Sequence, residues 1–108
     1  MAEWQKPESR DAVRTAVRFP LRLALHLNTE DGLIEAVTRD VSSNGLLFVA
    51  DTLPRIGSNI EFTMDLPLEV LGTPADVSVH CKGRVVRHQR SEHESMAAAV
   101  IDQYVLRA

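Results

Sequence analysis

The sequence predicts an all-β fold, a small antiparallel barrel, on three observations. Apolar and polar residues alternate with a period of two in several short segments, turn-forming residues separate those segments, and hardly any stretch carries a long helical pattern. Closure into a barrel disposes of exposed strand edges, which an open sheet of five or six short strands would have to protect in other ways. At 108 residues the chain fits a single domain. Its 44% hydrophobic and 25% charged content is too apolar for disorder.

Residues 1 to 13 are polar apart from Trp4 and Val13 and include Pro7, which predicts a flexible N-terminal arm ahead of a barrel domain over 14–108. From Phe19, the residues Leu21, Leu23, Leu25 and Leu27 alternate with Pro20, Arg22, Ala24 and His26, the pattern of a strand with one buried face. Asn28 to Gly32 reads as a hairpin turn, with Asp31-Gly32 supplying the positive φ of a tight reversal. Leu33 to Arg39 returns as a second strand. Asp40 to Gly45 is a turn cluster in which Gly45 is expected in a conformation closed to other residues. Leu46 to Ala50 follows as a buried strand, and Ile60, Phe62, Met64 and Leu66 alternate as a fourth. Pro67 to Pro74 is a loop with room for a helical turn. In the longest pattern, Ala75 to His88, Val77, Val79, Cys81, Gly83 and Val85 share one face, and Gly83 suggests a bend or bulge. Met96 to Ile101 is the last apolar strand, leaving Asp102 to Ala108 as a short C-terminal tail or helical turn.

Charge and composition exclude several classes of function. Twelve Lys and Arg against fifteen Asp and Glu give a net charge of -3, the wrong balance for a coat on nucleic-acid polymers or a polybasic membrane binder. No apolar run approaches the roughly 20 residues that span a bilayer, so no membrane insertion is expected. The polar start of the chain lacks a secretory apolar core. One cysteine, Cys81, permits no internal disulfide and suits a reducing, cytoplasmic setting. The four histidines lack metal-ligand spacing, Cys81 falls on an apolar strand face, and no phosphate-cradling Gly-rich loop is present, so neither a catalytic nor a metal site is expected.

Two features remain. Arg10, Arg14, Arg18 and Arg22 recur at a spacing of four, which alone reads as the solvated face of a helical segment. Asp40-Val-Ser42-Ser-Asn-Gly45 alone reads as a turn built from side-chain bonds to backbone. Together and in this order, Arg14-Thr-Ala-Val-Arg18 before the first strand and Asp40-Val-Ser42-Ser-Asn-Gly45 after the second resemble the two-part signature of the PilZ domain family. Arg18-Phe-Pro-Leu-Arg-Leu is similar to a PilZ first strand, Asn44-Gly45-Leu-Leu-Phe to its third and Gly83-Arg-Val-Val-Arg87 to a late one, so the resemblance spans about residues 10 to 102. It implies a six-stranded antiparallel barrel that binds the bacterial messenger cyclic di-GMP and signals without catalysis.

The residue types suit that ligand. A guanidinium fork pairs with phosphate, donates to the O6/N7 edge of guanine and stacks on a purine, three tasks lysine cannot combine. Asp40 would accept from the N1–H and N2–H donors of guanine, which adenine does not offer. Ser42 would donate to phosphate or base, and Gly45 would let backbone approach the ligand. By motif register Arg14 and Arg18 are the principal ligands, with Arg10 and Arg87 as further candidates. Many family members carry another arginine where this chain has Val13, which points to one messenger per site unless Arg10 substitutes. A dianion that stitches a loose arginine arm to the barrel beside Asp40 and Ser42 makes a disorder-to-order switch, read by a separate partner protein. An adaptor on the same barrel that no longer binds the nucleotide is the alternative. A single-stranded RNA binder ranks third, since 5% aromatic content offers few stacking platforms.

Overall fold

The computed structural model describes residues 4–6, 18–66 and 77–107. Alternation becomes six strands: β1 Ala24–Thr29, β2 Gly32–Val41, β3 Gly45–Val49, β4 Asn59–Leu66, β5 Val77–Arg90 and β6 Ser95–Arg107. All pair antiparallel, and the order β1-β2-β3-β6-β5-β4 closes into a barrel. Inward residues from every strand fill it, led by Leu27, Phe48, Phe62, Cys81 and Val85, each less than 2% exposed. Burying a Phe or Leu side chain to that degree stabilises by about 1.5–3 kcal/mol, so this stripe of alternating residues drives closure.

The first strand is shorter than its alternation suggests. Pro20 has no N–H to give a ladder, and residues 19–23 are held in two other ways. Phe19 bridges Val41 through backbone bonds of 2.8 and 2.9 Å. Thr38, fully buried, donates its hydroxyl to the Leu21 carbonyl at 2.5 Å and accepts from the Leu23 N–H at 2.8 Å. Leu21 and Leu23 still lean on the core, which is why their period of two resembles a strand. Gly32 sits at φ 118°, as the Asp-Gly turn requires.

Bulges account for most other departures. In β2, Thr38 faces Phe48 but Asp40 faces Leu47, leaving Arg39 as an extra residue. In β6, Lys82 faces Gln103 and Gly83 faces Ile101, so Asp102 is extra, and in β5 Val86 is extra opposite Ala98 and Ala99. The C-terminal tail expected from Asp102 onward is therefore corrected: β6 runs on to Arg107 in register with Ser78. The bulge spaces inward Ile101 and Tyr104 by three residues, which disguises a strand as a helical turn. The bulge suggested by Gly83 is present at Lys82/Gly83. The Pro67–Pro74 loop lies outside the described residues, as does most of the 1–13 arm. The part of that arm described, Trp4–Lys6, is joined to β6 by a bridge from Gln5 to Tyr104.

Candidate ligand site

The bulge at Arg39 decides where Asp40 points. Along β2, Ala36 and Thr38 face inward, and strict alternation would turn Asp40 into the core as well. The extra residue moves the next inward position to Val41 and leaves Asp40 on the outer wall, its side chain 25% exposed. A buried carboxylate without a partner would cost several kcal/mol. The antiparallel bridge of Phe19 with Val41 brings Arg18 opposite Ser42 and diagonal to Asp40. Arg18 Nη1 donates to Asp40 Oδ1 at 2.7 Å, with the Arg18 side chain 61% exposed. An ion pair this open contributes about 0–1 kcal/mol, little enough to be exchanged for a better partner.

The six residues Asp40 to Gly45 form the corner between β2 and β3. The Ser42 N–H donates to the Gly45 carbonyl at 2.8 Å, and Ser42 Oγ accepts from the Asn44 N–H at 3.3 Å. The Asn44 carbonyl accepts from the Ile101 N–H of β6 at 2.8 Å, which ties the corner to the wall. The expectation for Gly45 is corrected in its cause. Positive φ among the described glycines is confined to Gly32 and Gly57, whereas a Cβ on Gly45 would overlap the Ala99 carbonyl oxygen. The close approach that the fold itself requires is to the backbone of β6. Sequence reasoning also passed over Asn44, which is 9% exposed and whose Nδ2 has no hydrogen-bond partner among the described residues. A buried amide donor calls for a hydrogen-bond partner, and Asn44 Nδ2 is the donor at this corner free to take one from outside the described residues.

Arg87 joins the same surface by register. Asp40 faces Leu47, Leu47 faces Ala98 and Ala98 faces Arg87, one row across β2, β3, β6 and β5. Three strand spacings, about 14 Å, separate the ends of that row, with only Leu47 and the small Ala98 between them. Arg84, by contrast, is committed. Its Nε and Nη2 donate to both carboxylate oxygens of Asp102 at 2.9 and 3.0 Å, and that bond and charge raise the guanidinium pKa. Arg39 pairs with Glu94. Arg10 and Arg14 lie outside the described residues.

A cavity of about 270 Å³ opens at the barrel mouth beside the corner, lined by Phe19, Leu21, Val41, Met64, Tyr104 and Ser42 among others. Its walls are largely apolar, the wrong chemistry for a dianion, so the outer wall is the surface that suits a charged nucleotide. Burial pushes the Cys81 thiol from 9.0 up to about 12, which makes it a poor nucleophile. Among the described residues no three His, Cys, Asp or Glu side chains gather to hold a metal ion, and no helix is long and apolar enough to cross a membrane.

The sequence profile of the PilZ domain matches residues 10–105, nearly the whole chain. The chain belongs to the PilZ domain family. That family is one of cyclic di-GMP receptors, and its domains serve in binding and as adaptors. Among solved structures it is similar to the Bacillus subtilis inhibitor of motility MotI/DgrA, at 19% identity and a TM-score of 0.66. That match covers 88% of this chain and 43% of MotI/DgrA, and at this identity it speaks for the PilZ fold alone. Comparison with curated proteins returned no match.

Proposed function

We propose that this PilZ domain is a cyclic di-GMP receptor that signals to a separate protein. The observation that carries the reading is the meeting of Arg18 with an Asp40 turned outward by a bulge, directly beside Ser42. Arg18 of the first motif thereby meets Asp40 and Ser42 of the second on the outer wall.

Binding on this patch is an exchange of partners. Arg18 leaves a single, solvent-screened bond to Asp40 for a phosphate or the O6/N7 edge of guanine, where an arginine fork makes shorter and stronger bonds. Asp40, released, accepts the N1–H and N2–H of a guanine, and this selects guanine over adenine by the sign of the hydrogen bond. Ser42 and the open Asn44 Nδ2 add donors at the corner. Gly45 keeps the corner against β6. Arg14 serves as the second principal guanidinium, Arg10 as a further one from the segment, and Arg87 as the far clamp across Leu47 and Ala98. Ordering of the arginine segment against the wall is the change a partner protein reads. The cytoplasm is the setting this chemistry requires, where a lone reduced Cys81 is at ease.

Titration calorimetry with cyclic di-GMP tests the reading directly. Saturable heat is expected at tens of micromolar protein, reduced when Arg18 is replaced by Ala. No heat from the wild-type chain would reject the receptor and leave the adaptor.

A further inference from the structure

Outside the ligand patch the outer wall carries a second built feature. Gln5 and Tyr104 exchange both backbone bonds, N–H to carbonyl, at 2.7 and 2.8 Å, so the chain near its start adds itself as a scrap of strand to β6. It occupies the same edge of β6 whose preceding positions pair with β3 and with Asn44. The antiparallel bridge sets Trp4 opposite Val105, in the row that continues to His80 of β5. Val105 is 3% exposed yet stands apart from the core cluster, as expected of an apolar residue on the outer wall with a ring over it.

The seat for that ring is firmly held. His80 is bonded on both nitrogens, Nδ1 to Thr63 Oγ1 and Nε2 to Glu61 Oε1, each at 2.7 Å. Its ring lies 5.3 Å from the Trp4 ring, tilted by 55°. Lys82 Nζ stands 4.3 Å from the Trp4 ring centroid, a cation over an aromatic face. The occupant is held less firmly. Trp4 is half-buried, Gln5 and Lys6 are exposed, and among the described residues one bridge is all the backbone pairing the segment makes.

We infer that this edge of β6 at Tyr104, with the His80–Val105–Lys82 hollow beside it, is a strand-addition site for an extended segment of a partner protein bearing an aromatic side chain, held closed in cis by Trp4 and Gln5. The cis segment shows what the site accepts: an extended backbone that trades both bonds with Tyr104, and a flat ring placed one residue earlier. A partner strand of several residues makes more ladder bonds than a single bridge and fills the same hollow, the general logic of β-augmentation. Ile101, whose N–H bonds the Asn44 carbonyl, and Tyr104 stand three residues apart on β6, about 10 Å, so the docking edge adjoins the proposed ligand corner. The inference rests on the proposed function for there being a partner at all. Its test needs no messenger, so the two fail separately.

The probe is a fluorescein-labelled peptide of residues Met1–Ser9, followed by anisotropy against the full chain. Trp4→Ala in the protein empties the hollow, and Gln5→Pro removes the N–H given to the Tyr104 carbonyl, a second route that leaves the core untouched. Saturable binding to both variants is expected, with at least about tenfold weaker binding to the wild-type chain, whose own segment competes at high effective concentration. The same peptide with its Trp replaced by Ala should not bind, and His80→Ala added to the Trp4→Ala protein should abolish binding. Absence of binding to both opened variants, or equal binding to them and to the wild type, overturns the inference.

Discussion

Two of the arginine–aspartate pairs among the described residues, Arg84–Asp102 and Arg18–Asp40, have their aspartate positioned by a bulge. Arg84 and Asp102 belong to the paired strands β5 and β6, and the guanidinium grips both carboxylate oxygens at 2.9 and 3.0 Å. Arg18 precedes β1, next to the isolated bridge at Phe19, and reaches one oxygen of Asp40 at 2.7 Å. A two-point fork between neighbouring strands restrains its partners, because both backbones are already placed. A one-point contact from a segment outside the ladder can be given up without disturbing a strand. The same two residue types thus make a brace in one place and an exchangeable contact in the other.

The largest expected effect separates the two pairs by ligand. Arg18→Ala, and likewise Arg14→Ala, should weaken cyclic di-GMP binding by about 1.5–3 kcal/mol, roughly 10- to 150-fold by calorimetry, with the unfolding midpoint almost unchanged. Equal affinity in Arg18→Ala would break the comparison. Gly45→Ala attacks the wall beneath the first pair. Its Cβ meets the Ala99 carbonyl, so urea unfolding should show a loss of about 1–3 kcal/mol, a steric cost with no positive-φ component. Asp40→Asn should narrow the preference for cyclic di-GMP over cyclic di-AMP by about tenfold, measured as a ratio of dissociation constants. Arg84→Ala should leave messenger affinity at the wild-type value and lower only the thermal midpoint. A matching loss of affinity would mean that the brace also serves the ligand.

A further effect, confined to alkaline pH, is a slope. Burial raises the Cys81 pKa in the folded chain to about 12 from 9.0, so the unfolded thiol ionises first as pH rises. Its contribution is complete below pH 9 and is lost from there toward 12. Unfolding midpoints measured through that window should fall less steeply for Cys81→Ala than for the wild-type chain.

Much of this was legible in the residue order. Strands announce themselves where inward residues recur every second position, as in Ile60, Phe62, Met64 and Leu66, and the Asp31-Gly32 reversal behaves as its chemistry dictates. What alternation hides is any change of phase. An extra Arg39 moves Asp40 from the inner set to the outer, and an extra Asp102 makes half of β6 resemble a tail. Non-local partners are equally silent. Nothing in Met-Ala-Glu-Trp-Gln-Lys states that Trp4 will lie against His80 or that Gln5 will pair with Tyr104, nearly the full chain away. The corner Asp40 to Gly45 was visible as a turn, but its glycine is required by the Ala99 carbonyl, which only the folded register brings near.

The joint between β1 and β4 has a consequence for where the protein comes apart. Two residue pairs, Asn28 with Glu61 and Thr29 with Ile60, close the ring there, whereas β5 and β6 run together along nearly their whole lengths. A hoop with one short clasp springs at the clasp, so thermal fluctuations should loosen that joint first and amide protons along it should exchange ahead of the rest. The β3–β6 staves lie diametrically across the ring, and the Asp40–Gly45 corner is bonded to them. The barrel can therefore breathe on one side while the proposed ligand surface keeps its shape.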